Sequence, residues 1–312
     1  MLNVLVNRFT AASSVGVDLG SAKLKLVQIA RTDGQAILRG CVVADATDHA
    51  AVARTLTETL SGSGHRLGDA AIALASPELI VKSVCFPVLP KKELAGAIRL
   101  EAEQAILNGH TLAEMAIDWH PLASSNGHRE SLRGLLAVVP KALVAARLTP
   151  LTAAGLRAAV IDVEGLALWN AYWMLIGRRE PAGKVVLLVN VGARTTNLVM
   201  VKGQDELALL RDLGLGGTAL QAGRQAEWLE EIRDSLAYAR AKSGLRNLDA
   251  VYLTGGGSEP SLAASLQSLT TAEVTLWNPL ANLGRDDKSP AVDESLGPLL
   301  AIAIGLALRR PA

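Results

Sequence analysis

Apolar and polar positions divide the chain into short strand-like runs and helical stretches, and two of these groupings share one layout. Residues 15–30 with 35–44, and residues 185–201 with 206–213, each read as a strand, a glycine-opened turn, a second strand, a short polar turn and a third strand. A three-stranded unit occurring twice predicts two domains of common descent. Between and after them the period changes. Residues 48–60 carry apolar positions at helical spacing, with Asp48 placed to cap. Strands are expected at 70–75 and 79–86. A helix is expected over 91–107, with Pro90 at its start and Leu94, Ile98 and Ala102 on one face. Further strands at 115–121 and 132–139 flank a polar turn at 124–130. A helix (141–154), a strand (158–163) and a helix (164–176) then lead to a crossing at 178–184. In the second half the pattern predicts one long helix over 220–243, a strand at 250–254, a helix at 260–269 and a strand at 274–277. A polar loop at 284–294 precedes a final helix. Hairpins mixed with strand–helix units give an α/β class.

Three glycine turns each follow a strand. Asp18-Leu19-Gly20-Ser21 ends the first strand with a carboxylate and turns tightly, and Asn190-Val191-Gly192-Ala193-Arg194-Thr195-Thr196 repeats the device. Thr254-Gly255-Gly256-Gly257 runs from a strand toward a helix, where an anion would meet free N–H groups. Glycine lets backbone approach a phosphate closely. Taken singly, each turn also reads as an ordinary hairpin or strand–helix connection. Asp18 is either a holder of magnesium waters or a turn cap, and Glu164 either orients an attacking water or, the favoured reading, is a carboxylate at a helix N-terminus. Lys23 and Lys25 alternate with Leu24 and Leu26, so they share one strand face, which meets either solvent or phosphate.

A net charge of +1 and few aromatic residues argue against a nucleic-acid partner. Cys41 and Cys85, each in an apolar run, are expected to be buried reduced thiols. His49, His65, His110, His120 and His128 show no paired ligand spacing, so no metal centre is expected beyond Asp18. The N-terminus is read as lacking a signal peptide. The apolar run 299–308 falls short of the roughly 20 residues that cross a bilayer, and no membrane insertion is expected.

The order of the motifs, two phosphate-like hairpins, then Gly216-Gly217, then Gly255-Gly256-Gly257, resembles the actin, Hsp70 and sugar-kinase superfamily, in which ATP lies between two related domains. Within it, the chain resembles the PilM family of type IV pilus assembly proteins over nearly its whole length. The opening strand pair with Lys25, Leu89-Pro90-Lys91-Lys92, Val160-Ile161-Asp162, the Asn190 hairpin, Arg211-Asp212-Leu213-Gly214, Glu231-Ile232-Arg233, Trp277-Asn278-Pro279 and Ala303-Ile304-Gly305 all fall in family order. The shorter MshI proteins are a related group.

The resemblance implies an actin-like, RNase H-like fold of two related domains flanking a cleft. It places the first domain at 1–176 with a small insert near 75–135, a reduced second domain at 177–295, and a C-terminal helix (296–312) packing back on the first. The implied nucleotide contacts are Asp18, Gly20, Ser21, Lys25, Asn190, Gly192, Thr195, Thr196, Gly216, Gly217, Gly255, Gly256 and Gly257, with Asp18 toward a metal. Two departures weaken ATP and Mg²⁺ binding. Asn190 stands where the family has Asp, and the subdomain that follows the Gly-Gly turn is missing after Gly217.

The function so implied is a cytoplasmic adaptor of a type IV pilus or a related MSHA pilus or type II secretion platform. It would grip the N-terminal cytoplasmic tail of a single-pass PilN-like inner-membrane protein, in a groove of the first domain beside the insert, with Ile98 as a contact. It would face motor and platform proteins and carry no catalytic residue. The alternative is an active ATPase or small-molecule kinase.

Overall fold

The computed structural model describes residues 13–32, 34–45, 54, 57, 69–106, 109–122, 131–204, 206–245 and 247–309. The Asp48 cap, nearly all of the helix expected over 48–60, and the polar turn at 124–130 lie outside them. Two compact units divide the chain: one is Leu74–Leu148, the other the described residues of Leu5–Ala73 and Thr149–Ala312.

The larger unit begins with β1 (Ser13–Leu19), β2 (Lys23–Thr32), β3 (Gln35–Asp45) and β4 (Asp69–Leu74). The smaller unit holds β5 (Ile80–Pro87), α1 (Lys91–Ala105), β6 (Met115–Pro121) and β7 (Ser131–Pro140), and α2 (Lys141–Ala153) leads out of it. The larger unit resumes with β8 (Arg157–Val163), α3 (Glu164–Leu175), β9 (Val185–Val191), β10 (Thr196–Lys202) and β11 (Glu206–Leu213). After these come α4 (Gly217–Gln221), α5 (Gln225–Ser243), β12 (Ala250–Thr254), α6 (Pro260–Gln267), β13 (Glu273–Leu276) and α7 (Ala301–Ala307).

Two five-stranded sheets of the larger unit share one order, β3-β2-β1-β4-β8 and β11-β10-β9-β12-β13. In each, an antiparallel meander is followed by a parallel crossover. Every residue of β9 is buried, as expected for a central strand covered on both faces. On one side α5 lays down Trp228, Ile232, Leu236 and Ala239, a single helical face, against Leu187, Val189 and Met200.

α7 is apolar all round and wholly buried. Asn170 of α3 donates to the Gly305 carbonyl at 2.7 Å, and the Ser14 hydroxyl donates to that of Ala307. Just upstream, the Pro298 carbonyl accepts from the Gly255 N–H (3.0 Å) and the Thr254 hydroxyl (3.2 Å). The 298–307 segment therefore ties the first sheet to the turn after β12.

In the smaller unit the sheet order is β5-β7-β6. Val84, Phe86, Met115, Leu136 and Val138 form its core with Ala102 of α1, and Leu94 and Ile98 pack against it half-buried. Lys82 reaches Glu101 at 2.6 Å.

Three expectations are corrected. The helix expected over 220–243 is two helices, α4 and α5, parted by a turn at 222–224 around Gly223, a poor helix former. The final helix starts only at Ala301, because Gly297-Pro298 divides the preceding stretch into two 3-10 turns, Glu294–Leu296 and Pro298–Leu300. Neither cysteine is fully buried. Cys85 falls on the outward row of β5 between inward Val84 and Phe86, and Cys41 is half-buried, where burial pushes its thiol up.

Candidate functional site

The turn after β1 is organised by register. Asp18 and Lys25 stand directly opposite each other in the β1–β2 pair, and the Lys25 ammonium donates to Asp18 Oδ2 at 2.6 Å. Both side chains are buried, at 5% and 10% exposure. The ammonium lies where a side chain on Gly20 would begin, 2.6 Å from an ideal Cβ. Ser21 is exposed at the tip. Lys23, two positions away, points to solvent and pairs with Asp45 at 2.6 Å.

The equivalent register in the second sheet sets Asn190 opposite Asn197. Asn190 Nδ2 donates to Asn197 Oδ1 at 2.7 Å. Asn197 Nδ2 in turn donates to Asp212 Oδ1 (2.8 Å) and Glu164 Oε2 (3.2 Å). An ion pair in one half thus corresponds to a pair of carboxamides in the other. Burial pushes the Asp212 carboxyl up, and the Asn197 hydrogen bond only partly opposes this.

The glycine turns of the second half converge. Gly217 N–H donates to the Gly192 carbonyl at 2.8 Å, and Gly192 N–H to that of Thr195 at 2.8 Å. Gly257 N–H donates to the Val191 carbonyl at 2.9 Å. A Cβ on Gly216 would lie 2.6 Å from the Thr195 nitrogen and 2.7 Å from the Gly192 oxygen. Gly255 has φ +100°, and a Cβ there would meet the Val191 oxygen at 2.4 Å. Glycine at these two places lets the turns touch one another. Gly256 packs beside Leu299.

Against a magnesium nucleotide this site fits poorly. Asp18, the expected metal carboxylate, is already neutralised by Lys25. Gly192, Gly217, Gly255 and Gly257 direct their N–H groups at protein carbonyls, so these four donors are occupied within the protein. Thr196 is fully buried, donating to the Leu215 carbonyl (2.6 Å) and accepting from Trp228 Nε1 (3.0 Å), which leaves no hydroxyl donor for a phosphate. Half-buried Thr195 and exposed Ser21 keep outward positions. Ile98 lies in the smaller unit, away in sequence from all of these, half-buried against that unit's core. Sequence reasoning missed Asp212 as a site residue. Its signal was the register that sets it opposite Asn197.

The profile of type IV pilus assembly protein PilM matches residues 16–227, about two-thirds of the chain. The chain belongs to the PilM family. Among solved structures, one described as the PilM-PilN type IV pilus biogenesis complex is 26% identical, with 95% of this chain and 97% of that one covered and a TM-score of 0.79. The ethanolamine utilization protein EutJ from Carboxydothermus hydrogenoformans matches at 16% identity, 99% and 93% coverage and TM-score 0.47. A Bacteroides thetaiotaomicron protein with an actin-like ATPase fold and unknown function matches at 10% identity, 87% and 95% coverage and TM-score 0.49. The fold of this PilM-family chain is the actin-like ATPase fold, a mixed α/β architecture.

Proposed function

We propose that this chain is a cytoplasmic adaptor in type IV pilus assembly. It binds the N-terminal tail of a PilN-like inner-membrane protein, and its nucleotide binding is weak and without appreciable turnover. The observation that carries the reading is the 26% identical match, over 95% of the chain, to a PilM-PilN complex. Two features of the smaller unit support it. Among the described residues β5, eight residues long, is an outer strand of the β5-β7-β6 sheet. The same unit exposes Val88 (55%) and Leu100 (58%). An apolar tail laid as an added strand would use both kinds of contact, with backbone hydrogen bonds for affinity and apolar side chains for specificity. No helix among the described residues is long and apolar enough to cross a membrane, so membrane attachment is assigned to the partner.

The test is a titration with a fluorescent peptide copying the cytoplasmic tail of the PilN-like protein from the same organism. Micromolar binding, about −8 kcal/mol, is expected, with a rise in melting temperature by mass action. Leu100→Asp and Val88→Asp should weaken it at least about tenfold, a loss of roughly 1.4 kcal/mol, while the protein stays folded. Ile98→Glu is a poorer probe because it also injures the core of the smaller unit. Absence of peptide binding, or full affinity in both aspartate variants, would overturn the assignment.

A further inference from the structure

A cavity of about 360 Å³ opens between the last turn of α5, the connection into β12 and the connection into β13. Gly192 and Gly255 follow the C-terminal ends of the parallel strands β9 and β12, whereas this cavity lies before β12 and β13 begin. The length of β12, at about 3.3 Å per residue, sets roughly 16 Å between the two. The cavity is therefore separate from the glycine turns.

Its wall carries Arg240, whose Nε is buried and has no hydrogen-bond acceptor. Buried donors are nearly always paired. Some arginines of this chain find carboxylates, Arg39 with Asp286, Arg211 with Glu231, Arg224 with Glu227 and Arg285 with Glu294. Around Arg240 the polar wall is instead Asn247, Ser268, Thr270 and Thr271. Thr270 Oγ1 accepts from the Ala272 N–H at 3.1 Å, which leaves its own O–H to donate. Facing the C-terminal dipole of α5 explains a cation at this position, but it gives Nε no acceptor.

Among the described residues, a guanidinium without a counter-ion, hydroxyl and amide donors beside it and no carboxylate in the wall match a tetrahedral oxyanion, which arginine binds with a fork of N–H groups. We infer that this cavity is a binding site for a phosphate-type oxyanion, taken either as inorganic phosphate or as a phosphomonoester whose organic part fills the remaining volume.

The experiment follows the arginine Nε–Hε resonances of the full-length, ¹⁵N-labelled protein during titration with inorganic phosphate and with O-phosphoserine. Sodium chloride at equal ionic strength is the control. The Arg240 signal is the one missing from Arg240→Lys. It should shift saturably with phosphate, half-maximally in the millimolar range or below, and hardly at all with chloride. Arg240→Lys should weaken binding at least tenfold by calorimetry and Thr271→Val severalfold. If Arg240→Lys does not fold, calorimetric phosphate binding to the wild type and its weakening in Thr271→Val still decide the matter. Tighter binding of phosphoserine identifies an esterified source, and tighter binding of phosphate a free one. A resonance that ignores both, or that moves equally with chloride, overturns the site.

Discussion

Removing the Lys25 ammonium tests whether the turn after β1 is a closed ion pair or an open metal site. In Lys25→Met the Asp18 carboxylate keeps its 5% exposure but loses the partner at 2.6 Å. Breaking a buried pair from one side leaves an uncompensated charge and costs about 3–5 kcal/mol, a fall of roughly two to four powers of ten in the folding equilibrium. Asp18→Asn with Lys25→Met removes both charges, and a neutral replacement of similar volume is close to harmless. The double variant should therefore lie within about 1–2 kcal/mol of the wild type, giving a coupling energy of at least about 2 kcal/mol in a double-mutant cycle.

Because the chain holds two compact units, a single unfolding curve would mix their transitions. Urea unfolding should be read instead from hydrogen exchange at Val17 and Leu26, which stand opposite each other beside the pair. A cost below about 1 kcal/mol for Lys25→Met, or a coupling indistinguishable from zero, would refute the argument. It would mean that the carboxylate is solvated in solution and open to a cation. A second readout checks the same logic: Mg²⁺ should leave the melting temperature of the wild type unchanged and raise that of Lys25→Met, whose Asp18 then needs a counter-ion.

Asn190→Asp sets a third carboxylate beside the Asn197 carboxamide and removes the donor that Asn197 Oδ1 accepts, so it should destabilise by about 1–3 kcal/mol without divalent ions, and Mg²⁺ should restore part of the loss in thermal melts. For Asp212 the folded state holds its proton to higher pH than the unfolded one, so its contribution falls as pH rises above the usual carboxylate range. Asp212→Asn keeps an acceptor for Asn197 and should raise the melting temperature at pH 7 but not at pH 3. Gly255→Ala meets both φ +100° and the Val191 oxygen, and a cost of about 1–3 kcal/mol is expected in equilibrium unfolding. The paired hydrogen bonds from Arg39 hold the Asp286 carboxyl down at about 2, so the tie between β3 and the 284–289 loop persists above pH 4 and is lost as pH falls toward 2. Faster exchange of the Leu38 and Gly284 amides over that window would report the loss, and an unchanged rate would contradict it.

The repeated hairpins were legible because strand alternation and glycine turns are local signals, and both survive in register as Asp18 opposite Lys25 and Asn190 opposite Asn197. What those registers do to charge was not legible. Lys25 was readable as a strand lysine facing solvent or phosphate, but its partner depends on which residue the hairpin brings opposite. The crossing at 178–184 hid a cluster of the same kind. Glu180 accepts from Tyr172, Lys184 and Tyr252, the last 72 residues away. Burial alone would push the Glu180 carboxyl up, and those three hydrogen bonds outweigh it. Burial, with Glu180 beside them, pushes both phenols well above their usual range.

Glycine has a further ambiguity, and it bears on function. A glycine in a turn says that something approaches the backbone closely, but not what it is. In this chain the approaching groups at Gly216 and Gly255 are Thr195 and Val191 backbone atoms of the neighbouring turn. The amides of Gly192, Gly217 and Gly257 complete that turn-to-turn contact. Such glycines are needed for packing whether or not a phosphate ever arrives. A chain of this fold can therefore keep every glycine of the motif while the Asp18 carboxylate is neutralised by Lys25 and its counterpart is the amide of Asn190. On this argument the charge state of positions 18, 25 and 190 discriminates an adaptor from an ATPase better than the glycine pattern does.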